Sequence, residues 1–462
     1  MKTKHGTIIV GSGPAGLFCA IKLVQNGYRD ILILESGKKY TFEEPNRCIT
    51  SLYGGCSTNS DGKLTFHHQV GTTELPNIVG LKEYYDYMEE VEQLYLDFKP
   101  TKEQREIITK KENQEEVTID KYIPKDSAKA FRAKALAANL DLLTYSIRHL
   151  GSDAGFFIAQ NIHDFLTSQG VTILTEHKVD EIKCINDEYH INVNQKQFVC
   201  DNLVIGIGRS GANDFMKFMS QLDVPIKDGV VDCGLRIEVS NEICDSLLDH
   251  GVYEPKFISR DNSFEDRVRS FCWNRAGEVV AEKYPHADFV VANGHSLAYK
   301  KTNNTNFALL VTKRVPHPLR YLESICRQVN ILSDNQLMIQ KFGDLLNGRR
   351  STQQRINEGG TIPTCDAYPG DLSLAIPYRI LLAVIEMLQS MDKVLPGIAS
   401  QYTLMYGIES KFYTNDIDID KYAQTNKSNL YVVGDCSSKS RGQVASSTMG
   451  LMAAKGILKS LK

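Results

Sequence analysis

Apolar and polar positions along this chain follow two different periods. Thr7 to Val10 is a β-branched apolar run that reads as a buried strand. "GSGPAG" (Gly11 to Gly16) interrupts it, and "LFCAIKLVQNG" then places apolar residues at helical spacing as far as Gly27. A second short strand, "ILILE", closes on Glu35. Between Glu176 and Gly208 the pattern changes to short alternating segments divided by "NDE" and "NQK", which predicts a three-stranded meander. Its last strand, Leu203 to Ile207, reads as buried and runs into Gly206-Ile207-Gly208. Helical periodicity returns at Leu81 to Phe98 and in "PYRILLAVIEMLQSM". Near the C-terminus a short apolar run enters Gly434-Asp435, a polar loop follows, and a small-residue helix begins at about Gly442.

The order strand, glycine turn, helix, strand is a βαβ unit, and Gly11, Gly13 and Gly16 occupy the G-x-G-x-x-G positions. Gly11 permits the tight turn, Gly13 lets backbone approach a pyrophosphate, and Gly16 lets helix and strand pack closely. The N–H groups and partial positive charge of the helix N-terminus face the phosphates. Glu35 stands at the end of the second strand, where an acid accepts hydrogen bonds from ribose hydroxyls. "GIGRSG" (Gly206 to Gly211) is formally the same motif and could open a separate NAD(P)H domain. It follows a meander, however, and no clean βαβ with a terminal acid comes after it.

Composition narrows the picture little. Of 462 residues, 53 are basic and 56 acidic, so the formal net charge of −3 favours neither a nucleic-acid backbone nor an anionic membrane. Eleven cysteines are scattered singly, with no Cys-x-x-Cys, which argues against a disulfide framework and against a zinc site and for a reducing cytoplasm. "MKTKH" followed by an apolar stretch imitates a signal peptide, but the glycine spacing explains that stretch better. No run of 18 apolar residues is present.

The "GPAG" form of the glycine turn resembles that of FAD-dependent enzymes of the glutathione-reductase type. In that architecture both chain ends complete one FAD-binding fold, and Gly434, Asp435 and the helix start "GQVASSTMG" match its late motif. Further segments resemble a family of bacterial uncharacterised FAD-dependent (NAD(FAD)-utilising) dehydrogenases. They are "GGCSTNSDGKL", "VIGIGRSGANDF", "DCGLRIEV", "RSFCWNRAGEVV", "VANGHSLAYK", "TNFALLV" and "PGDLSLAIP". The matches run in order along most of the chain and are weakest over 71–148. Two departures stand out: Cys56 to Lys63 differs from the family's Gly-Thr-Phe-Ser-Asp-Gly-Lys, and Gly434-Asp435-Cys436-Ser437-Ser438 replaces its Gly-Glu-Gly-Ala-Gly.

The resemblance implies an α/β fold: a Rossmann FAD-binding domain with a β-meander, assembled from both chain ends, plus a mixed α+β substrate-binding domain. The domains expected are a first FAD-binding part at 1–70, a helical insertion at 71–150, a second part at 151–213, a substrate domain at 214–422 and a C-terminal part at 423–462. Cofactor contacts are expected from Gly11, Ser12, Gly13, Pro14, Ala15 and Gly16, then from Glu35 and Ser36. Gly55, Cys56, Ser57, Asp61 and Lys63 form a second group, with Val179, Gly206 and Gly208 beside them. Gly434, Asp435, Gly442, Gln443 and Val444 complete the set. FAD is the expected cofactor, NAD(P)H a possible electron donor, and no metal is expected.

The activity implied is redox chemistry on a small organic molecule, reducing or dehydrogenating a C=C, C–N or C–C bond, with Lys63, Asp61 and His295 as catalytic candidates. Arg269, Cys272, Trp273, Asn293 and Arg441 are further substrate-side candidates, Trp273 being better explained by packing. Cys56 has no partner five residues on, which speaks against a dithiol reductase. A flavin-dependent isomerase or mutase without net redox change is an alternative. So is a nucleic-acid-modifying flavoprotein, although the tail "KGILKSLK" is only a modest basic helix end. No nucleic-acid or membrane partner is expected.

Overall fold

In a computed structural model of the protein, the N-terminal run forms β1 (Lys4–Val10), α1 (Pro14–Gln25) and β2 (Ile31–Leu34). The structure describes all residues except 1–2, 40–51, 59–61, 73, 113–119, 228, 261–262, 284–287, 297–300, 413–415 and 462. Side chains at 56, 109–112, 120, 152–153 and 412 are likewise outside it. The chain divides into two units, one of 1–119, 149–229 and 413–462, the other of 120–148 and 230–412.

The first unit is built on one sheet. β1 pairs in parallel with β2, and β2 with β3 (Thr172–Leu174). On its other side β1 pairs in parallel along the long strand β6 (Lys196–Ile205). β4 (Val179–Ile185) and β5 (Glu188–Val193) pair antiparallel with each other, and β5 pairs antiparallel with the first half of β6. The second half of β6, Leu203 to Ile205, pairs in parallel with β7 (Leu430–Val432), which returns from the far end of the chain. α2 (Gln443–Ser460) follows β7 and lies on α1. Glycine makes that contact possible: a Cβ on Gly450 would stand 2.1 Å from the Ala15 carbonyl oxygen. β1 and β2 are apolar on both faces because helices cover one side and the meander's core the other.

Eight strands form the sheet of the second unit. Its centre is Val231–Ser240, flanked antiparallel by Asn304–Lys313 and Leu404–Phe412. Val268–Asn274 lies next to Asn304–Lys313, followed by Lys256–Ser259 and Asp141–Leu143. Strand alternation divides the faces. Val231, Cys233, Leu235, Ile237 and Val239 enter the apolar core, to which the helices Pro318–Leu332 and Tyr378–Asp392 contribute. Asp232, Arg236 and Glu238 occupy the alternate positions and are fully buried.

The region expected to be a helical insertion is mixed. Leu81–Asp97 and Lys102–Glu112 are helices of the first unit, whereas Asp120–Tyr122 and Asp141–Leu143 are strands of the second. Three-residue strands are too short to show alternation, and Asp141–Leu143 is stabilised by pairing with Lys256–Ser259, more than a hundred residues away. The helix Ala212–Gln221 belongs to the first unit, where Phe215, Phe218 and Met219 pack with the meander. "GIGRSG" therefore leads from β6 into a helix on the same sheet and opens no second βαβ unit. Among the described residues no helix is long and apolar enough to cross a membrane.

Candidate functional site

Several backbone turns converge at the C-terminal ends of β1, β6 and β7. Gly11 has φ +101, and a Cβ there would lie 2.4 Å from the Gly206 carbonyl oxygen. A Cβ on Gly16 would meet the Gly11 oxygen at 2.1 Å, one on Gly55 the Gly13 Cα at 3.1 Å, and one on Gly434 the Ala15 Cβ at 3.1 Å. Around Gly13 itself nothing stands within 4 Å of the added Cβ position, and the same holds for Gly208 and Gly442. Close approach and open space thus occur at neighbouring glycines of one site.

Both helices that start here do so without a side-chain cap or a first-turn acid. α1 begins after Gly13, with Pro14, Ala15 and Gly16 buried. α2 begins after Gly442, with Gln443 to Ser446 buried. Buried first-turn N–H groups need an acceptor. A bound anion at α1 supplies one, and the residues present fit the pyrophosphate of a dinucleotide.

Glu35 is buried, and its carboxylate is already engaged. Oε2 accepts from the Ser12 N–H (2.9 Å) and Ser12 Oγ (2.7 Å), while Oε1 accepts from the Gly37 N–H (2.8 Å) and Ser36 Oγ (3.2 Å). The acid thereby fixes the glycine turn as well as ending β2. Asp435 is held in a similar way. Its Oδ1 accepts from Ser440 Oγ (3.2 Å) and Ser446 Oγ (3.0 Å), and Arg209 Nε lies 3.5 Å from Oδ2. The Ser-rich loop that departs from the family pattern braces itself: Ser437 Oγ donates to the Gly434 carbonyl at 2.7 Å, and burial pushes the Cys436 thiol up to about 12. Lys439 anchors the loop between Glu74 (2.5 Å) and Asp416 (2.6 Å), and although burial works against its charge, these two carboxylates raise its pKa.

Other expected cofactor contacts are placed more loosely. Ser57 donates to the Gly54 carbonyl at 2.6 Å in the turn beside Gly13, and Val179 is a buried residue of β4 in the meander core. Lys63 is partly exposed at the start of a short strand, Lys63–Phe66. Asp61 and the Cys56 side chain lie outside the described residues. The Arg441 N–H donates to the Gly71 carbonyl at 2.6 Å.

The substrate-side candidates of the second unit separate into two environments. Trp273 is core: 2% exposed and stacked on Phe307 at 4.2 Å and 10°. A bulge explains this. The pairing register shifts between Phe271 and Asn274, Cys272 adopts φ +46, and Trp273 joins the apolar face while Phe271 stays on the other. Arg269 and Asn293 belong to the polar face. Arg236, with no exposed surface, donates bidentately to Glu409 (2.8 and 2.9 Å), to the Cys272 carbonyl (2.9 Å), to Asn306 Oδ1 (3.1 Å) and to Asn293 Oδ1 (3.3 Å). Burial alone would raise the Glu409 carboxyl, but Arg236 and Lys411 outweigh it and hold it below the ordinary value. Gly294 is pressed against this cluster, since a Cβ there would lie 2.7 Å from Arg236 Nη1. His295 follows at the end of Val290–His295, and its buried Nε2 has no hydrogen-bond partner among the described residues.

Arg236, Glu409, Lys411, Lys256 and Arg209 escaped reading from sequence. One signal was available. "DCGLRIEV" places Asp232, Arg236 and Glu238 at every second or fourth position of an otherwise apolar run, so a strand buried on both faces had to bury charge.

Comparison with known proteins bears on both units. A protein of Clostridium beijerinckii described as uncharacterised is 23% identical, over 98% of this chain and 81% of its own length. Among solved structures, glycine oxidase from Geobacillus kaustophilus is similar at 12% identity and a TM-score of 0.41, over 99% of this chain and 95% of that one. L-proline dehydrogenase from P. horikoshii is similar at 11% identity and a TM-score of 0.42, over 100% and 95%. Residues 232–412, nearly the whole sheet unit from its central strand onward, match the family model "FAD-dependent protein, C-terminal domain-like". The match concerns one domain of FAD-dependent proteins, and in this chain that domain accompanies a unit with a dinucleotide-type glycine turn.

Proposed function

We propose that the first unit binds FAD with both ends of the chain and that the enzyme reduces or dehydrogenates a C=C, C–N or C–C bond of a small organic substrate. The pairing of β6 with β7, which sets the N-terminal glycine turn beside Gly434-Asp435, is the observation that carries this reading. Bound FAD supplies a two-electron donor or acceptor. The N–H groups after Gly13 hold its pyrophosphate, with Ser12, Pro14, Ala15 and Gly16 shaping the turn. Glu35 accepts from a ribose hydroxyl while keeping its bonds to Ser12 and Gly37. Asp435, fixed by Ser440, Ser446 and Arg209, takes the ribityl–pyrophosphate side, and Gly442, Gln443 and Val444 open the second helix toward the ring. Gly55, Ser57, Gly206 and Gly208 line the remaining turns. His295, with an uncommitted buried nitrogen, exchanges a proton with the substrate; Lys63 and Asp61 polarise the ring system.

The test is an absorbance spectrum of the purified protein, followed by anaerobic mixing with NADPH and then NADH. A flavin band that bleaches rapidly identifies a nicotinamide as donor. A band that persists identifies the organic substrate as the electron source. Gly13→Val fills the open position beside the turn and is expected to abolish the band, since a side chain there occupies the space of the pyrophosphate. A Gly13→Val protein that keeps stoichiometric flavin overturns the assignment.

A further inference from the structure

The polar face of the second unit's sheet buries charges of both signs. Lys256, Arg269 and Lys411 come from three strands and gather on one ring, that of Phe271. Lys256 Nζ, the Arg269 guanidinium carbon and Lys411 Nζ lie 4.9, 5.1 and 5.9 Å from its centroid. All three cations are more than nine-tenths buried, with exposures of 4%, 7% and 4%. Lys411 shares Glu409 with Arg236, and Arg269 pairs with Asp232, which also accepts from Thr312 at 2.6 Å.

Lys256 differs from the other two. Its ammonium makes no hydrogen bond among the described residues, and Glu254, its nearest carboxylate, stands 3.8 Å away. An ammonium removed from water is costly unless acceptors replace the water. Burial accordingly lowers the Lys256 pKa, and the nearby Arg269 and Arg267 push in the same direction. The described residues of the face include four cations (Arg236, Lys256, Arg269, Lys411) and four carboxylates (Asp232, Glu238, Glu254, Glu409), but none of these carboxylates hydrogen-bonds Lys256. Phe271 is only partly buried, so its ring also leaves an apolar surface beside the cations.

We propose that this cluster is a binding site for a small organic monoanion, its carboxylate accepted by Lys256 between Arg269 and Lys411 and its carbon skeleton lying against Phe271. One carboxylate gives the Lys256 ammonium the hydrogen-bond acceptor that the described residues do not supply. Phe271 selects for an apolar or planar body over a fully hydrated one. The site rests on residues of the second unit alone and is independent of how FAD is held.

Calorimetric titration of the full-length, flavin-containing protein with benzoate, and with benzamide as its neutral counterpart, tests the proposal. Benzoate is expected to bind at least about tenfold more tightly than benzamide, and Lys256→Met to weaken benzoate by about tenfold or more. The same variant is expected to melt no lower than the wild type, because methionine keeps the apolar stem and the ammonium it removes is desolvated and makes no hydrogen bond among the described residues. That combination separates a binding role from a structural one. Equal affinity for benzoate and benzamide overturns the site, as does unchanged benzoate affinity in Lys256→Met or no binding of benzoate to the wild type. If Lys256→Met does not fold, the melting temperature of the wild type decides: a rise with benzoate and none with benzamide upholds the site, and equal shifts overturn it. Protein without a flavin band that still binds benzoate counts against the cofactor reading and not against this one.

Discussion

Single residues do the fine work on both units, and burial sets its terms. Glu238 has no exposed surface and accepts from Tyr406 Oη (2.5 Å), Thr364 Oγ1 (2.5 Å) and Asn304 Nδ2 (3.0 Å). Burial nevertheless dominates and raises its carboxyl above the ordinary value of 4.5, while those donors pull the other way. A raised carboxyl means that the folded state keeps a proton the unfolded state has already lost. Stability therefore falls as pH rises from the ordinary carboxylate range through the folded value. Glu238→Gln removes that ionisation, so melting temperatures measured between about pH 5 and pH 8 should decline less in the variant than in the wild type. A parallel decline in both would show that Glu238 ionises freely in the fold. Glu409 gives the opposite case. Its charge is matched by Arg236 and Lys411, and Glu409→Ala leaves a buried guanidinium uncompensated, at a cost of about 3–5 kcal/mol in a denaturant titration.

At the level of elements, the cofactor turn depends on two helices meeting closely. α1 and α2 touch where Gly450 faces Ala15 and Cys19, with the added Cβ 2.1 Å from the Ala15 oxygen and 2.9 Å from the Cys19 nitrogen. Gly450→Val pushes the helices apart. Overpacking of this kind costs about 1–3 kcal/mol or more, and here it also displaces the glycine turn that begins α1. The expected outcome is a lower melting temperature together with a lower flavin-to-protein ratio. Loss of stability with full flavin content would show that the turn does not depend on the helix contact. The bulge at Cys272 is a second element-scale device, since it turns Trp273 into the core and leaves Phe271 among the cations. Periodicity alone could not reveal it, because one extra residue reverses every inward and outward assignment beyond it.

Over the whole molecule, the order of the chain and the order of the sheet differ. β7 is added in parallel to β6 although more than two hundred residues separate them, and α2 follows to cover α1. A chain ending before Leu430 loses the strand that covers the second half of β6 and exposes the apolar faces of α1 and β6. It is expected to be recovered aggregated or without flavin, whereas removal of Leu461 and Lys462 alone should leave the spectrum unchanged. Purification with and without added FAD, followed by absorbance, distinguishes the cases.

The sequence by itself determined the local parts of this protein. Gly11, Gly13 and Gly16 between two apolar strands, the meander before Gly206 and the helices over 81–98 and 377–391 are set by turn chemistry and side-chain period, which act within a few residues. Gly434-Asp435 was legible through its resemblance to the late motif of FAD-dependent enzymes. Only the tertiary structure decided what depends on partners far away in the chain. Glu35 meets Ser12 across a turn, Asp435 meets Arg209, and Asp141–Leu143 becomes a strand because Lys256–Ser259 receives it. The charged face of Arg236, Lys256, Arg269, Lys411 and Glu409 is of the same kind. Each strand carries a charge that alone would be expelled to water, and pairing the strands brings acceptor and donor together while excluding the solvent. Electrostatic compensation is a property of the assembled sheet, so no single stretch of sequence could announce it.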